Sequence, residues 1–208
     1  MIIKVCGLRH IDNLLAITSL DINWTGFIFW PGSKRHCTLP DSQLSTLHLK
    51  TAKVGVFVNA TAHEMHAKAL ACKLDYLQLH GNESPELCRT LKQQGHRLIK
   101  AFPIATHADL APLHAYEGLA DYYLFDTKTP GYGGSGHTFD WSILHAYDGP
   151  TPFLLSGGLH PGSIDAILHF HHPHLAGIDL NSGFESAPGL KDIALLRPFI
   201  ASLRARTP

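Results

Sequence analysis

Two side chains in this sequence could move protons between carbon and oxygen: the thiol of Cys6 and the carboxyl of Asp126. A thiol becomes a base once it ionises, and a nearby cation or strand-end dipoles lower its pKa. A carboxyl becomes an acid where low polarity raises its pKa. Read alone, Cys6 is more simply a small buried residue closing a strand, and Asp126 a surface carboxylate. Asp126 ends the apolar run Tyr122 to Phe125, and Pro130, Gly131, Gly133, Gly134 and Gly136 follow. Such a loop is poor at building a core and well suited to folding over a ligand; the plain alternative is a linker. Arg35 could hold a carboxylate in a bidentate fork or be a solvated loop charge. Asp179 could orient a hydroxyl or amine or simply anchor the turn after it. Gly157-Gly158 and Ser182-Gly183 would let main-chain N–H groups approach an anion closely, although a plain turn also explains either pair.

These residues need a frame. Short β-rich apolar runs recur at Ile2–Val5, Gly26–Phe29, Lys53–Phe57, Tyr76–Leu79, Arg97–Ala101, Tyr122–Phe125, Pro152–Leu155 and Ala176–Asp179. Their starts lie 24, 27, 23, 21, 25, 30 and 24 residues apart. Several are apolar throughout, which suits strands covered on both faces. Helical patterns separate most of them: Ile11 to Leu20, a segment capped by Thr61 with Glu64 three residues on, one after Ser84 that Gly95 ends, Trp141 to Ala146, Ser163 to His169, and Asp192 to Leu203. His107 to Tyr116 is the weakest of these, because Pro112 interrupts it.

The alternation predicts an α/β chain folded as one (β/α)8 TIM barrel over residues 1–208. An open doubly wound sheet is the competing arrangement, but Cys6-Gly7-Leu8-Arg9 is not the G-x-G-x-x-G turn that often follows its first strand. In a barrel, chemistry sits where strands end. Cys6, Asn59, His80, Asp126, Ser156 and Asp179 all fall there, and the glycine pairs follow strands seven and eight, where barrels often cradle phosphate.

Bulk properties exclude other classes. With 17 basic and 17 acidic residues the formal charge is zero, which argues against a nucleic-acid binder or a polybasic membrane module. No apolar run approaches the roughly 20 residues needed to span a bilayer. The N-terminus does not read as a signal peptide. Cys6, Cys37, Cys72 and Cys88 have neither disulfide-framework nor zinc spacing, so a reducing cytoplasm is the expected compartment. Among the sixteen histidines, His63 and His66 lack the H-E-x-x-H spacing. His80 and His137, taken singly, read as loop residues. The tract from His169 to His174 starts at a helix end, away from the strand ends, and is not assigned a metal.

Taken together the motifs resemble one family. They are Lys4-Val5-Cys6-Gly7, Gly26-Phe27-Ile28-Phe29 with Ser33-Lys34-Arg35, Val54-Gly55-Val56-Phe57-Val58-Asn59, and Leu77-Gln78-Leu79-His80-Gly81. Asp126-Thr127 with Gly133-Gly134-Ser135-Gly136 and Phe139-Asp140-Trp141, then Ser156-Gly157-Gly158-Leu159, and Asp179 through Glu185 with Pro188-Gly189 and Lys191-Asp192, complete the set. In order and register they resemble the phosphoribosylanthranilate isomerases of tryptophan biosynthesis. The resemblance implies a (β/α)8 barrel that converts N-(5-phosphoribosyl)anthranilate to 1-(2-carboxyphenylamino)-1-deoxyribulose 5-phosphate without metal or organic cofactor. It implies Cys6 as general base, Asp126 as general acid, Arg35 on the anthranilate carboxylate, and Gly157, Gly158, Ser182 and Gly183 on the phosphate. Asp179 would help orient the substrate, and the partner would be this small phosphorylated molecule, with monomer or homodimer left open. Ser33-Lys34-Arg35 stands where the family often has Ser-Pro-Arg, Arg9 where a Thr is common, and Ser135 where the loop often has Thr. Two other expectations compete. One is a barrel related to indole-glycerol phosphate synthase, which would carry catalytic lysines at strand ends. The other is a non-catalytic barrel that binds a phosphorylated metabolite.

Overall fold

The computed structural model describes residues 1–128 and 139–206. The glycine-rich segment after Asp126, with Ser135 and His137, lies outside the described residues. Eight parallel strands close into a barrel in chain order: β1 (Ile2–Val5), β2 (Trp24–Ile28), β3 (Ala52–Phe57), β4 (Tyr76–Leu79), β5 (Leu98–Ile104), β6 (Tyr122–Thr127), β7 (Phe153–Leu155) and β8 (Leu175–Leu180). β8 closes on β1 with Lys4 opposite Asp179. All eight predicted strands are present, with ends displaced by up to three residues.

Side chains alternate across a strand, so each β-element sends every second residue into the barrel. Trp24, Tyr76 and Tyr122 fill its lower end, with ring centroids 4.7 and 5.1 Å apart for the two Trp24 pairs. Val54, Ile99, Ala101, Leu124 and Leu154 lie above them. The same register continued upward brings Cys6, Ile28, Val56, Gln78, Asp126, Ser156 and Asp179 to the mouth. The opposite set, Ile3, Val5, Phe27, Leu77, Leu79, Phe125, Phe153 and Ile178 among them, packs outward under the helical layer. Both faces of the sheet are therefore buried, and this explains why the strand segments are apolar without alternation.

The outer layer comprises α1 (Ile11–Thr18), α2 (Asp41–Thr46), α3 (Ala62–Cys72), α4 (Pro85–Gln93), α5 (Ile164–His169) and α6 (Ile193–Arg206). Thr61 and Glu64 form the expected capping box on α3, and Lys73 ends it in the left-handed region at φ 52°. Ser84 caps α4 ahead of Pro85, whose missing N–H costs nothing at that position. His107–Tyr116 and Trp141–Ala146 are 3-10 rather than α-helical. Pro112 cannot donate the intrahelical hydrogen bond of a regular α-helix, which accounts for the first. Two elements went unread in the sequence. α2 has only Leu44 buried, too little for a periodic signal. The ribbon of β9 (Glu185–Ala187) and β10 (Leu190–Lys191) is too short for one. The histidine tract packs near the strand beginnings, where the His172 ring meets Tyr147 and Phe153. Among the described residues, no helix is long and apolar enough to cross a membrane.

Candidate active site

A cavity opens at the C-terminal ends of the strands. Cys6, Arg35, Asp126 and Asp179 line it together with Gln78, His80, Ser156 and Asn181, while Ile28, Trp30, Val56 and Val58 supply an apolar wall.

Cys6 follows β1 and is held by its own N–H on the Leu180 carbonyl at 2.9 Å. Gly7 then turns the chain at φ +80°, a conformation that L side chains rarely adopt. Across from Cys6 stands Gly26 of β2. A Cβ there would fall 2.7 Å from the Cys6 sulfur, so the absence of a side chain makes room for the thiol. Two residues before Cys6, on the same inward face, Lys4 is fully buried and its Nζ lies 2.8 Å from Asp179 Oδ2. Burial alone would pull the Lys4 pKa down, but Asp179 and Cys6 outweigh it and hold the ammonium above its ordinary value. Burial pushes the Cys6 thiol up, and Asp179 adds to this, against the opposing pull of Lys4 and Lys191. Burial thus favours the neutral thiol, beside a cation able to stabilise its ionised form.

Asp126 sits near the end of β6. Its Oδ1 accepts from the Thr127 N–H at 2.8 Å, and its Oδ2 lies 3.2 Å from His80 Nε2. The Gln78 amide nitrogen is 2.8 Å from the other ring nitrogen of His80. The His80 ring thus bridges Gln78 and Asp126 through its two nitrogens. Gln78 Oε1 and Asp179 Oδ1 are buried at the cavity without a hydrogen-bond partner among the described residues. Unpaired buried acceptors are costly in a native fold, and both residues line the cavity in which a ligand would bring donors.

Glycines govern the loops after β7 and β8. Gly157 and Gly158 have φ of +81° and +66°. Their N–H groups are without a backbone or side-chain acceptor among the described residues. A Cβ on Gly157 would strike Thr127 and lie 2.7 Å from Asp126 Oδ1. Ser182 and Gly183 start a short 3-10 turn. A Cβ on Gly183 would fall 2.0 Å from the Leu159 carbonyl oxygen, so the two glycine loops lie directly against each other.

Arg35, in the loop after β2, is not a free fork. Its Nε lies 3.0 and 2.9 Å from the two carboxylate oxygens of Glu185, and its Nη2 2.8 Å from Oε2. Glu185 also accepts from Lys191 Nζ and from the Gly189 N–H. Burial would push the Glu185 carboxyl up, but its bonds to Arg35 and the charge of Lys191 hold it below the ordinary range. Lys191 Nζ reaches Asn181 Oδ1 at 2.7 Å.

The structure thus brings Cys6, Arg35, Asp126 and Asp179 to one cavity, while Gly157, Gly158, Ser182 and Gly183 lie in the adjoining loops and are not among its lining residues. Lys4, Glu185 and Lys191 carry no site role on sequence alone, and His80 reads there as a loop residue. Only Lys4 left a usable signal, since strand alternation puts it on the Cys6 face. Fold and site together define a class: a (β/α)8 barrel enzyme whose polar site is built from strand ends and the loops after them.

Comparison with known proteins narrows this. The family model described as N-(5'phosphoribosyl)anthranilate (PRA) isomerase matches residues 3–202. An N-(5'-phosphoribosyl)anthranilate isomerase of Parabacteroides distasonis is 57% identical over 206 residues, 98% of this chain and 93% of the relative. The crystal structure of phosphoribosyl anthranilate isomerase from Thermotoga maritima has a TM-score of 0.87 at 33% identity, over 99% of this chain and 100% of that one. Another isomerase of that name, solved in complex with reduced 1-(o-carboxyphenylamino)-1-deoxyribulose 5-phosphate, has a TM-score of 0.83 at 29% identity, over 99% and 100% of the two chains. The chain belongs to the N-(5'-phosphoribosyl)anthranilate isomerase family.

Proposed function

We propose that this protein converts N-(5-phosphoribosyl)anthranilate to 1-(2-carboxyphenylamino)-1-deoxyribulose 5-phosphate in tryptophan biosynthesis, with Asp126 as general acid and Cys6 as general base. Asp126 gives a proton to the ribose ring oxygen, and the ring opens to an iminium at C1. Cys6 takes the proton from C2, and the C2–H electron pair becomes the double bond of an enolamine. Tautomerisation of that enol to the C2 ketone completes the internal redox exchange, with no external electron acceptor. Family membership supports the reaction. The observation that carries the residue assignment is the shared cavity, which has Cys6 on one strand end, Asp126 on another, and the unpaired Asp179 Oδ1 between them in strand order.

The substrate's two anionic ends fit the two sides of the mouth. The phosphate belongs on the glycine loops after β7 and β8, where the Gly157 and Gly158 N–H groups have no acceptor among the described residues. The ring carboxylate belongs near Arg35. Asp179 Oδ1 and Gln78 Oε1 accept from sugar hydroxyls or the anthranilate amine.

One positioned acid or base is worth about 10²–10⁴-fold in rate. Cys6→Ala and Asp126→Asn are each expected to lose at least about two orders of magnitude in turnover while remaining folded. The decay of anthranilate fluorescence in the substrate reads this directly. Near-normal decay in either variant would remove that residue's role, and absence of turnover in the unaltered protein would leave a binding barrel.

A further inference from the structure

Arginine offers a carboxylate two flat edges, the side edge of Nε and Nη2 and the end edge of Nη1 and Nη2. In this protein the side edge is taken. Arg35 Nε and Nη2 grip the Glu185 carboxylate through three contacts of 2.8 to 3.0 Å. Nη1 has no protein partner among the described residues, and Arg35 lines the cavity. Glu185 is itself tied down: Lys191 Nζ and the Gly189 N–H share its Oε1. Lys191 is in turn bound through its main chain to the Asn13 side chain at 2.8 and 2.9 Å, which anchors the ribbon to α1. The brace leaves little slack around it. A Cβ on Gly7 would fall 2.8 Å from Asn181 Oδ1, 3.0 Å from Arg35 Cδ and 3.4 Å from Lys191 Nζ.

We propose that Glu185 is a positioning residue for recognition of the substrate's ring carboxylate: by occupying the side edge of Arg35 it fixes the guanidinium plane and presents the end edge to the ligand. The inference rests on the reading that Arg35 meets this carboxylate. Glu185 is not a placeholder that substrate displaces. Removing it from Arg35 would strip a buried carboxylate of all three guanidinium contacts and leave the Lys191 cation and one N–H as its partners, a costly rearrangement for a group so enclosed. The ligand therefore adds to the pair, and Glu185 acts through Arg35 without touching substrate.

The test uses two probes with the full-length protein: reduced 1-(o-carboxyphenylamino)-1-deoxyribulose 5-phosphate, and the same compound lacking the ring carboxylate. Inhibition constants for both are measured on Glu185→Gln, alongside KM and kcat. Misplacing a binding group by about 1 Å costs up to about 10²-fold, so the carboxylated probe is expected to weaken by about tenfold or more. The probe without the carboxylate should change by less than about twofold, and the substrate loss should fall on KM more than on kcat. Equal weakening of both probes, or of neither, in a folded variant overturns the proposal. If Glu185→Gln does not fold by circular dichroism, Glu185→Gln with Lys191→Met removes the stranded cation and takes the same measurements. Arg35→Ala separates the underlying reading. If it weakens both probes equally, the carboxylate contact itself is wrong; if it discriminates while the Glu185 variants do not, only the positioning role fails.

Discussion

The Cys6 sulfur fits because β2 has no side chain opposite it, so Gly26→Ala is a one-atom probe of where the base stands. The added Cβ would lie 2.7 Å from the sulfur, 3.0 Å from the Cys6 Cα and 3.1 Å from its Cβ. Ordinary contact begins near 3.4 Å, so the sulfur must retreat by about 0.7 Å or more and the backbone of Cys6 must give by several tenths. Rotating the thiol alone does not relieve the clash with the Cα. Overpacking of this kind costs about 1–3 kcal/mol of stability. A reacting group displaced by that distance loses about 10- to 100-fold in rate. Gly55→Ala is the matched control. Its Cβ would fall 2.4 Å from Leu74 Cδ1 and 2.9 Å from Phe57 Cε2, on the outer face of the barrel. Both variants are expected to unfold at lower urea, and only Gly26→Ala should lose kcat in the fluorescence assay. Equal kcat losses, or a full rate in a folded Gly26→Ala, would refute the reasoning that the sulfur's position sets the rate.

Three further predictions concern charge. Because burial raises the Cys6 thiol, kcat/KM should keep climbing with pH beyond the ordinary thiol value of 9.0, and the pH dependence of Cys6 alkylation should show the same raised midpoint; a midpoint below 9.0 would contradict it. Lys4→Met strands the buried Asp179 carboxylate and should cost about 3–5 kcal/mol by urea denaturation, whereas Lys4→Met with Asp179→Asn should cost clearly less. His96 lies 2.9 Å from His66, and burial followed by that neighbour lowers its pKa from 6.5. The unfolded chain then takes up the proton first as pH falls, so stability is full above about 6.5 and declines below it until the folded state also protonates. His96→Gln should flatten that decline in urea midpoints measured between pH 7.5 and 5.5.

Much of the frame was legible in the sequence because a barrel repeats itself. Strand spacing located the mouth, and strand ends then picked out Cys6, Asp126 and Asp179 without knowledge of any contact. The outer layer was less legible where its physics is weak: α2 is six residues long, and Pro112 turns the His107–Tyr116 segment into a 3-10 path. The pairings were illegible for a different reason. Arg35 and Glu185 are 150 residues apart, and Lys4 and Asp179 are 175 apart. Arg35 and Asp179 could be singled out one at a time, but neither Glu185 nor Lys4 could be read as the partner until closure of β8 on β1 brings the chain ends together. His80 illustrates the same limit, since its tautomer depends on Gln78 and its direction on Asp126.

The burial that raises the Cys6 thiol also bears on how the protein lasts. Peroxide and disulfide reagents attack ionised sulfur, and all four cysteines are unpaired and buried, with their pKa values raised. Burial thus favours the protonated, less reactive form of each of these thiols. On the proposed assignment, the group that does the work is shielded by the same protonated state it must leave to act, so durability between turnovers and reactivity during them are set by one equilibrium.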